Sequence, residues 1–135
     1  MKIGFTCGAF DLLHPGHLLM FEYAKQHCDV LRVGLHTDPS IDRPKTKRKP
    51  VQTVFERYLQ LKACANVDEV IPYETERDLL NYLRTQRVDI RFLGDDYRHK
   101  NFTGIELEIP IVFCPRTHDY SSTYLFEKVK QFTEA

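Results

Sequence analysis

The sequence predicts a small doubly wound α/β domain, in which a parallel sheet carries helices on both faces. Short runs rich in Val, Ile, Leu and Phe alternate with segments whose apolar residues recur at helical spacing. Such alternation favours βαβ units and therefore parallel strands. A chain of 135 residues can build one core but not two, and no repeat or linker divides it. We expect a single domain over residues 1–135.

The first strand and the first helix are separated by a turn that contains glycines. The strand is predicted over residues 2–7 and the helix over residues 16–26. Apolar side chains at i, i+3 and i+4 spacing give the helix one face suited to burial. These side chains are Leu19, Met20, Tyr23 and Ala24.

The second strand, residues 30–35, is rich in Val and Leu, as a buried parallel strand should be. A long polar loop over residues 36–52 follows, and then a helix over residues 53–64. Its predicted inner side chains are Phe55, Tyr58, Leu59 and Leu61.

The third strand is predicted over residues 67–71, and a helix follows over residues 76–87. The inner face of this helix is predicted to hold Leu79, Leu80 and Leu83.

The last part of the chain continues the alternation. Strands are predicted over residues 90–93 and 109–114, with a polar loop over residues 94–104 between them. A final helix runs over residues 122–132. Its apolar residues in register are Leu125, Val129 and Phe132.

Charge and cysteine usage exclude several classes of protein. Nineteen basic residues balance nineteen acidic ones, so we expect neither nucleic acid nor an anionic membrane as a partner. No apolar run has the length of a bilayer span, and the first residues predict a strand rather than a signal peptide. The four cysteines form no CxxC pair, which favours free thiols and a cytoplasmic location.

Two histidines, His14 and His17, lie where the first strand gives way to the first helix. A helix N-terminus offers free backbone N–H groups and the positive end of the dipole, and therefore suits phosphate. The histidines add donors where a transferring phosphoryl group gathers charge. Two alternatives remain open: the histidines only cap the helix, or they share a metal with Asp11 at steps of three residues.

This segment resembles the signature of the HxGH nucleotidyltransferases, and most of all the glycerol-3-phosphate cytidylyltransferases. The matching pattern is Gly8-x-Phe10-Asp11-x-x-His14-x-Gly16-His17. The resemblance implies that both histidines contact the nucleoside triphosphate and stabilise its charge during attack on the α-phosphorus. The neighbouring positions that it assigns to nucleotide binding are Cys7, Gly8, Ala9, Phe10, Asp11 and Gly16. Ala9 departs from the family, in which close relatives carry Thr or another residue.

A second segment resembles the family signature Arg-Thr-x-Gly-Ile-Ser-Thr-Thr, which binds triphosphate through an arginine and helix-start hydroxyls. Capping of the last helix would by itself explain the two serines. Asp119 and Tyr120 replace the Gly and Ile of the family, which leaves the recognised base open. The residues assigned to nucleotide binding here are Arg116, Thr117, Ser121, Ser122 and Thr123.

The loop over residues 43–49 holds five cations in seven residues. Such a run is usually a solvated loop, but this one follows the second strand and so lies at the same sheet edge as the histidines. Related cytidylyltransferases place functional lysines in the corresponding loop. Lys45 and Lys47 are therefore predicted to bind phosphate during catalysis, together with Arg116.

Two further positions follow from the resemblance. Arg57 matches the arginine that reaches the active site from the start of the second helix. The turn Gly94-Asp95-Asp96-Tyr97 matches a Gly-Asp-Asp-Trp segment beside the pocket, where Tyr97 supplies the aromatic surface. An exposed helical arginine and an ordinary turn are the alternative interpretations.

The resemblance implies transfer of CMP from CTP to a small phosphorylated acceptor, such as glycerol 3-phosphate, with release of pyrophosphate. It also implies a homodimer, and Mg²⁺ bound to the substrate rather than to a protein cage. Three alternatives stay open: an adenylyltransferase that uses ATP, a nucleotide-binding subunit without turnover, and a metal-binding module.

Overall fold

A computed structural model describes residues 1–134 of the chain. Five strands alternate with four helices, with 3₁₀ turns at Asp95–Tyr97 and Ile105–Leu107. The strands are β1 (Ile3–Gly8), β2 (Val30–His36), β3 (Glu69–Tyr73), β4 (Ile90–Gly94) and β5 (Ile111–Cys114). The helices are α1 (Pro15–Lys25), α2 (Val54–Lys62), α3 (Glu76–Thr85) and α4 (Ser122–Glu134).

All strand pairs are parallel, and the order across the sheet is β3-β2-β1-β4-β5. The order reverses at β1, which lies between β2 and β4. The predicted doubly wound parallel fold is therefore confirmed. Ligands of such sheets bind beyond the carboxyl ends of the strands at this switch point, where the segment after β1 lies.

The two faces of the sheet carry separate apolar clusters. On one face, Phe21 and Ala24 of α1 and Leu61 of α2 pack against strand residues such as Val33 and Phe92. The opposite face is covered by α3. Its Leu79 and Leu83 pack with Phe5 of β1 and Tyr73 of β3. Helices thus cover both faces, as the sequence predicts.

Several side chains predicted to face the core are exposed instead. Leu19, Phe55, Leu59, Val129 and Phe132 are between 45% and 79% exposed. Helical spacing identifies an apolar stripe but not which side of the helix packs against the sheet. In α1 and α2 a neighbouring face is the one that is buried. In α2 the buried side chains are Leu61 and a charged one, Arg57.

The strand bounds differ from prediction by at most two residues; β3 begins and ends two residues later than expected, and β5 begins two residues later. The four cysteines are free thiols, as predicted. Among the described residues, no helix has the length and apolar character needed to cross a bilayer.

Candidate active site

A cleft of about 380 Å³ lies at the carboxyl ends of the strands. One side of the cleft, which we call the α1 side, contains Phe10, His17 and Ser122. The other, the α3 side, contains residues from the end of β3 and the start of α3. A hollow of about 260 Å³ adjoins the α1 side and shares His17 and Gly94 with the cleft.

The segment between β1 and α1 is held in a turn by unusual backbone angles. Phe10 and Leu12 have positive φ values of 50° and 51°, which non-glycine residues rarely adopt. The Phe10 ring lies against His17, with 5.4 Å between centroids, and the backbone N–H of Leu12 donates to Gln52 Oε1. Strained backbone that the surrounding contacts enforce is typical of binding sites.

Asp11 fastens this turn to the start of α2. Its two carboxylate oxygens accept the backbone N–H groups of Val51 and Gln52, at 2.8 and 2.9 Å. The Asp11 carbonyl accepts the Ser122 hydroxyl at 3.1 Å. Asp11 lines the cleft, but its carboxylate already serves the backbone.

His14 and His17 cap the N-terminus of α1 reciprocally. Nδ1 of His14 accepts the Gly16 backbone N–H at 3.0 Å, and Nδ1 of His17 accepts the His14 backbone N–H at 3.2 Å. An Nδ1 that accepts cannot carry the proton of a neutral ring, so each proton is on Nε2. Capping therefore leaves each ring one N–H donor for a ligand. Both histidines therefore cap the helix, and capping is compatible with phosphate binding.

Both rings are held in the neutral form. Burial, and to a smaller extent the neighbouring His14, lowers the pKa of His17 to about 3. Burial also lowers the pKa of His14, with His118 and Arg116 acting in the same direction. Without a ligand, the site therefore presents neutral donors at the positive end of the α1 dipole. This end of the helix favours a bound anion.

Gly16 is required by the close approach of two imidazoles. A Cβ at this position would lie 2.7 Å from His14 Cε1 and 2.8 Å from His118 Cε1. Any larger residue would displace the His14 ring. Sequence reasoning did not assign a role to His118, although it lies inside the second signature.

The second signature brings only part of its residues to the site. Arg116, Ser121 and Ser122 line the hollow, and the Arg116 guanidinium donates to the Tyr120 carbonyl at 3.0 Å. Ser121 Oγ accepts the Tyr124 backbone N–H at 3.0 Å, which is ordinary helix capping. Thr117 and Thr123 are exposed and line neither the cleft nor the hollow.

Side-chain contacts hold the basic loop near both of its ends. Residues 41–49 are nevertheless all exposed. Arg43 Nη2 lies 3.4 Å from Glu76 of α3, and the Arg48 guanidinium stacks 3.8 Å from the ring centroid of Phe126 in α4. The loop thus crosses the mouth of the cleft. Lys47 lines the cleft, whereas Lys45 does not.

Arg57 lies behind the site rather than in it. It is 1% exposed and lines a separate hollow. Its guanidinium donates four hydrogen bonds to backbone carbonyls. The carbonyls belong to Ala9, His36, Thr37 and Gln52. Arg57 therefore ties together the three segments that form the cleft, and nucleotide contact stays a prediction.

The turn after β4 separates the cleft from the hollow. Gly94 borders both, Asp95 and Asp96 border the hollow, and Tyr97 lines the cleft. Asp95 forms an ion pair with Arg98. The remaining predicted positions, Cys7, Gly8, Ala9 and Phe10, line the cleft.

Sequence reasoning missed the α3 side of the cleft. Arg91 of β4 is 2% exposed, and it lines the cleft with residues from β2, β3, α3 and the loop after β4. These residues include His36, Tyr73, Glu76, Asn101, Phe102 and Thr103. One signal was available: Arg91 interrupts an apolar strand, and a buried cation needs a partner.

The histidines are not arranged as a metal site with Asp11. Their Nδ1 atoms and the Asp11 carboxylate already accept backbone N–H groups. Within residues 1–134, the group of possible ligand atoms within 4.8 Å of one another is His36, Asp42 and Glu76. Arg43 neutralises Glu76 there, and Asp42 accepts the Glu76 backbone N–H at 2.7 Å, so this group anchors the basic loop.

Comparison with known proteins agrees with this geometry. Residues 5–128 match the model of the Cytidylyltransferase-like family. The chain is 35% identical over 132 residues to the bifunctional protein HldE of Hyphomonas neptunium, covering 95% of this chain and 27% of that protein. It is 44% identical over 105 residues to HldE of Acidiphilium cryptum, covering 76% of this chain and 21% of that protein. The chain thus spans about a quarter of the length of these curated relatives.

Solved structures share the fold. The lipopolysaccharide core biosynthesis protein from Thermoplasma volcanium superposes with a TM-score of 0.67 at 24% identity, over 90% of this chain and 99% of that one. Pantothenate synthetase from Thermus thermophilus superposes with a TM-score of 0.65 at 17% identity, over 97% of this chain and 64% of that one. Because the family model covers nearly the whole chain and both signatures meet at one sheet edge, this protein belongs to the cytidylyltransferase-like family of nucleotidyl-transferring enzymes.

Proposed function

We propose that this chain transfers a nucleotidyl group from a nucleoside triphosphate to a small phosphorylated acceptor and releases pyrophosphate. The observation that carries the proposal is the pair of capped histidines at the N-terminus of α1. The two histidines, each with an Nε2–H group, and the nearby Arg116 line one small hollow at the positive end of the α1 dipole. That region offers several donors to the charge that grows on a phosphate undergoing substitution.

The reaction requires alignment and charge stabilisation rather than a covalent intermediate. A phosphate oxygen of the acceptor attacks the α-phosphorus, that P–O bond forms, and the bond to the β-phosphate oxygen breaks. His14 and His17 donate to the α- and β-phosphates, while Lys47 and Arg116 lie where they can neutralise the remaining phosphates. Each neutral histidine becomes a stronger donor as negative charge accumulates beside it.

Mg²⁺ is proposed to enter with the triphosphate, held mainly by phosphate oxygens and water. The cleft carboxylates fit poorly as a protein cage, because Asp11 accepts two backbone N–H groups and Glu76 is paired with Arg43 and Thr103. When bound, the ion neutralises charge on the phosphate oxygens.

The family resemblance further suggests a homodimer. Light scattering at micromolar concentration tests this against a mass of 15.9 kDa for the monomer.

CTP is the proposed donor, because the matching family is cytidylyltransferase-like. ATP is the second candidate, since the relatives named above are HldE proteins and not glycerol-3-phosphate cytidylyltransferases. Tyr120, which departs from the family signature, lines the hollow where the base would bind. Glycerol 3-phosphate remains a candidate acceptor among other polyol and sugar phosphates.

The test is a panel of CTP, ATP, GTP and UTP, each combined with phosphorylated acceptors and Mg²⁺, with pyrophosphate release as the readout. We expect release that depends on both substrates and is fastest with CTP. Faster release with ATP would make the chain an adenylyltransferase. Nucleotide binding without release for any pair would contradict the enzyme and favour a silent binding subunit.

A further inference from the structure

The α3 side of the cleft contains a buried cation without a carboxylate partner. Nη1 of Arg91 donates to the Thr103 carbonyl, and Nη2 reaches only the Cys7 sulfur, at 3.8 Å. Nε of Arg91 has no hydrogen-bond partner. Among the described side chains, none places a carboxylate within 4.0 Å of this guanidinium. A buried donor left unpaired is costly, so a ligand oxygen is the natural partner.

The neighbouring groups do not supply a compensating negative charge. Burial raises the pKa of the Cys7 thiol, an effect that Arg91 only partly opposes, and burial raises the pKa of the Tyr73 hydroxyl. Both groups are therefore neutral near pH 7. Glu76 is the carboxylate of this region, but its oxygens lie 2.8 Å from Thr103 Oγ1 and 3.4 Å from Arg43 Nη2.

The aromatic side chains of this region do not form a cage for a cationic ligand. The Phe102 ring has the Arg91 guanidinium 5.1 Å from its centroid, and the Tyr97 ring has Lys100 Nζ at 5.7 Å. The His36 ring stacks on Tyr73, with 4.6 Å between centroids. An ammonium group needs open aromatic faces and free negative charge. Here each ring already has a cation or an imidazole over one face.

We propose that the α3 side of the cleft binds the non-reacting part of the acceptor, and that Arg91 selects hydroxyl-bearing acceptors over amino-alcohol phosphates. This inference rests on the proposed nucleotidyl transfer, and it narrows the acceptor to polyol and sugar phosphates. Hydroxyl oxygens accept from Arg91, while Asn101 and Thr103 offer further polar partners. The fixed charge of Arg91 repels a choline or ethanolamine head, because like charges brought together in a desolvated site are strongly unfavourable.

The first test uses the unmodified protein with one triphosphate and a panel of acceptors. Glycerol 3-phosphate, erythritol 4-phosphate and a hexose 1-phosphate represent the hydroxyl class, and phosphocholine and phosphoethanolamine represent the ammonium class. We expect kcat/KM to be roughly a hundredfold or more higher for the best hydroxyl-bearing acceptor. Equal or better turnover of either ammonium acceptor would overturn the proposal.

The second test reads binding without turnover. The ¹⁵N signal of the Arg91 Nε–H, assigned by its loss in Arg91→Lys, should shift when a polyol phosphate is added. Arg32 is the internal control, because its Nε already donates to Glu69 at 3.0 Å away from the cleft. An unchanged Arg91 signal with an acceptor that is turned over would overturn the proposal. A shift without pyrophosphate release from any triphosphate would support the site while contradicting the proposed reaction.

Two variants separate charge from shape. Arg91→Lys keeps the charge but loses the planar fork, so it should raise the KM for a polyol phosphate roughly tenfold and leave the KM for the triphosphate unchanged. Arg91→Met removes the charge. It should lower the ratio of kcat/KM for the polyol phosphate to kcat/KM for phosphocholine by about tenfold or more. An unaltered preference in a folded Arg91→Met protein would contradict the role of the charge.

Discussion

The imidazole rings of His14 and His17 lie 3.8 Å apart between centroids, and each uses its Nδ1 to accept a backbone N–H. The proposed function therefore gives one sequence feature two tasks. The same rings cap helix α1 and keep their Nε2–H groups as the proposed donors to the nucleotide. The two tasks can be separated experimentally, because they use different nitrogens.

Replacing either histidine with asparagine should lower catalytic efficiency strongly while preserving the helix cap. The amide oxygen of Asn can accept at the position of Nδ1, but no group replaces Nε2–H. We expect His14→Asn and His17→Asn each to lower kcat/KM by roughly two to four orders of magnitude, with Tm nearly unchanged. His14→Ala is the control, since it should lose both the cap and the activity. Near-normal turnover in either Asn variant would remove the pair from the mechanism.

The neutral histidines also predict how stability depends on pH. Because the folded pKa of His17 is about 3, the unfolded chain binds more protons than the folded one between that value and about 6.5. Stability should therefore fall as the pH decreases from 7 to 5, by at most about 1.4 kcal/mol per pH unit for this group. Urea unfolding at several pH values measures this slope. His17→Asn should reduce the slope, and an equal slope in both proteins would contradict the assignment.

The two lysines of the basic loop should differ in importance. Lys47 lines the cleft and Lys45 does not, so Lys47→Gln should lower kcat about tenfold or more, whereas Lys45→Gln should stay within a few-fold. Proteolysis within residues 43–49 should also slow when CTP and Mg²⁺ bind. If the variant that combines Lys45→Gln and Lys47→Gln has an unchanged kcat, and if nucleotide does not alter the rate of cleavage, the loop is an ordinary solvated surface.

Arg57 should matter chiefly for folding. Replacing it with Met leaves four carbonyl oxygens, one buried and three partly buried, without their donor, and we expect a loss of roughly 3 kcal/mol or more in the free energy of unfolding. Arg77→Met, on the exposed surface of α3, is the matched control and should change stability little. Equal stability of the two variants would contradict the structural role of Arg57.

The sequence was sufficient for the order and type of the elements, because strand composition and helical spacing are local properties. It was insufficient for the direction of the apolar stripes. Phe55 and Leu59 of α2 are exposed, while Arg57 between them is buried and donates to carbonyls of two distant segments. Such long-range bonds leave no local pattern.

The site was predictable where one segment carries both the motif and the geometry, as at His14 and His17. Arg91, Tyr73 and Glu76 come from three elements that only the sheet order brings together. Their residue types are common, and their spacing in the chain indicates no chemistry. Only the interruption of an apolar strand by Arg91 was a usable signal.

The most direct measurement of the central claim follows the α-phosphorus itself. CTP labelled with ³²P at the α-position is incubated with Mg²⁺ and a polyol phosphate, and the label is traced by chromatography. We predict that the label moves to the acceptor, that unlabelled pyrophosphate is released in equal amount, and that His17→Asn suppresses both. Label that stays in CTP, that appears in CMP without entering the acceptor, or that moves as fast with His17→Asn would contradict transfer of CMP by this site.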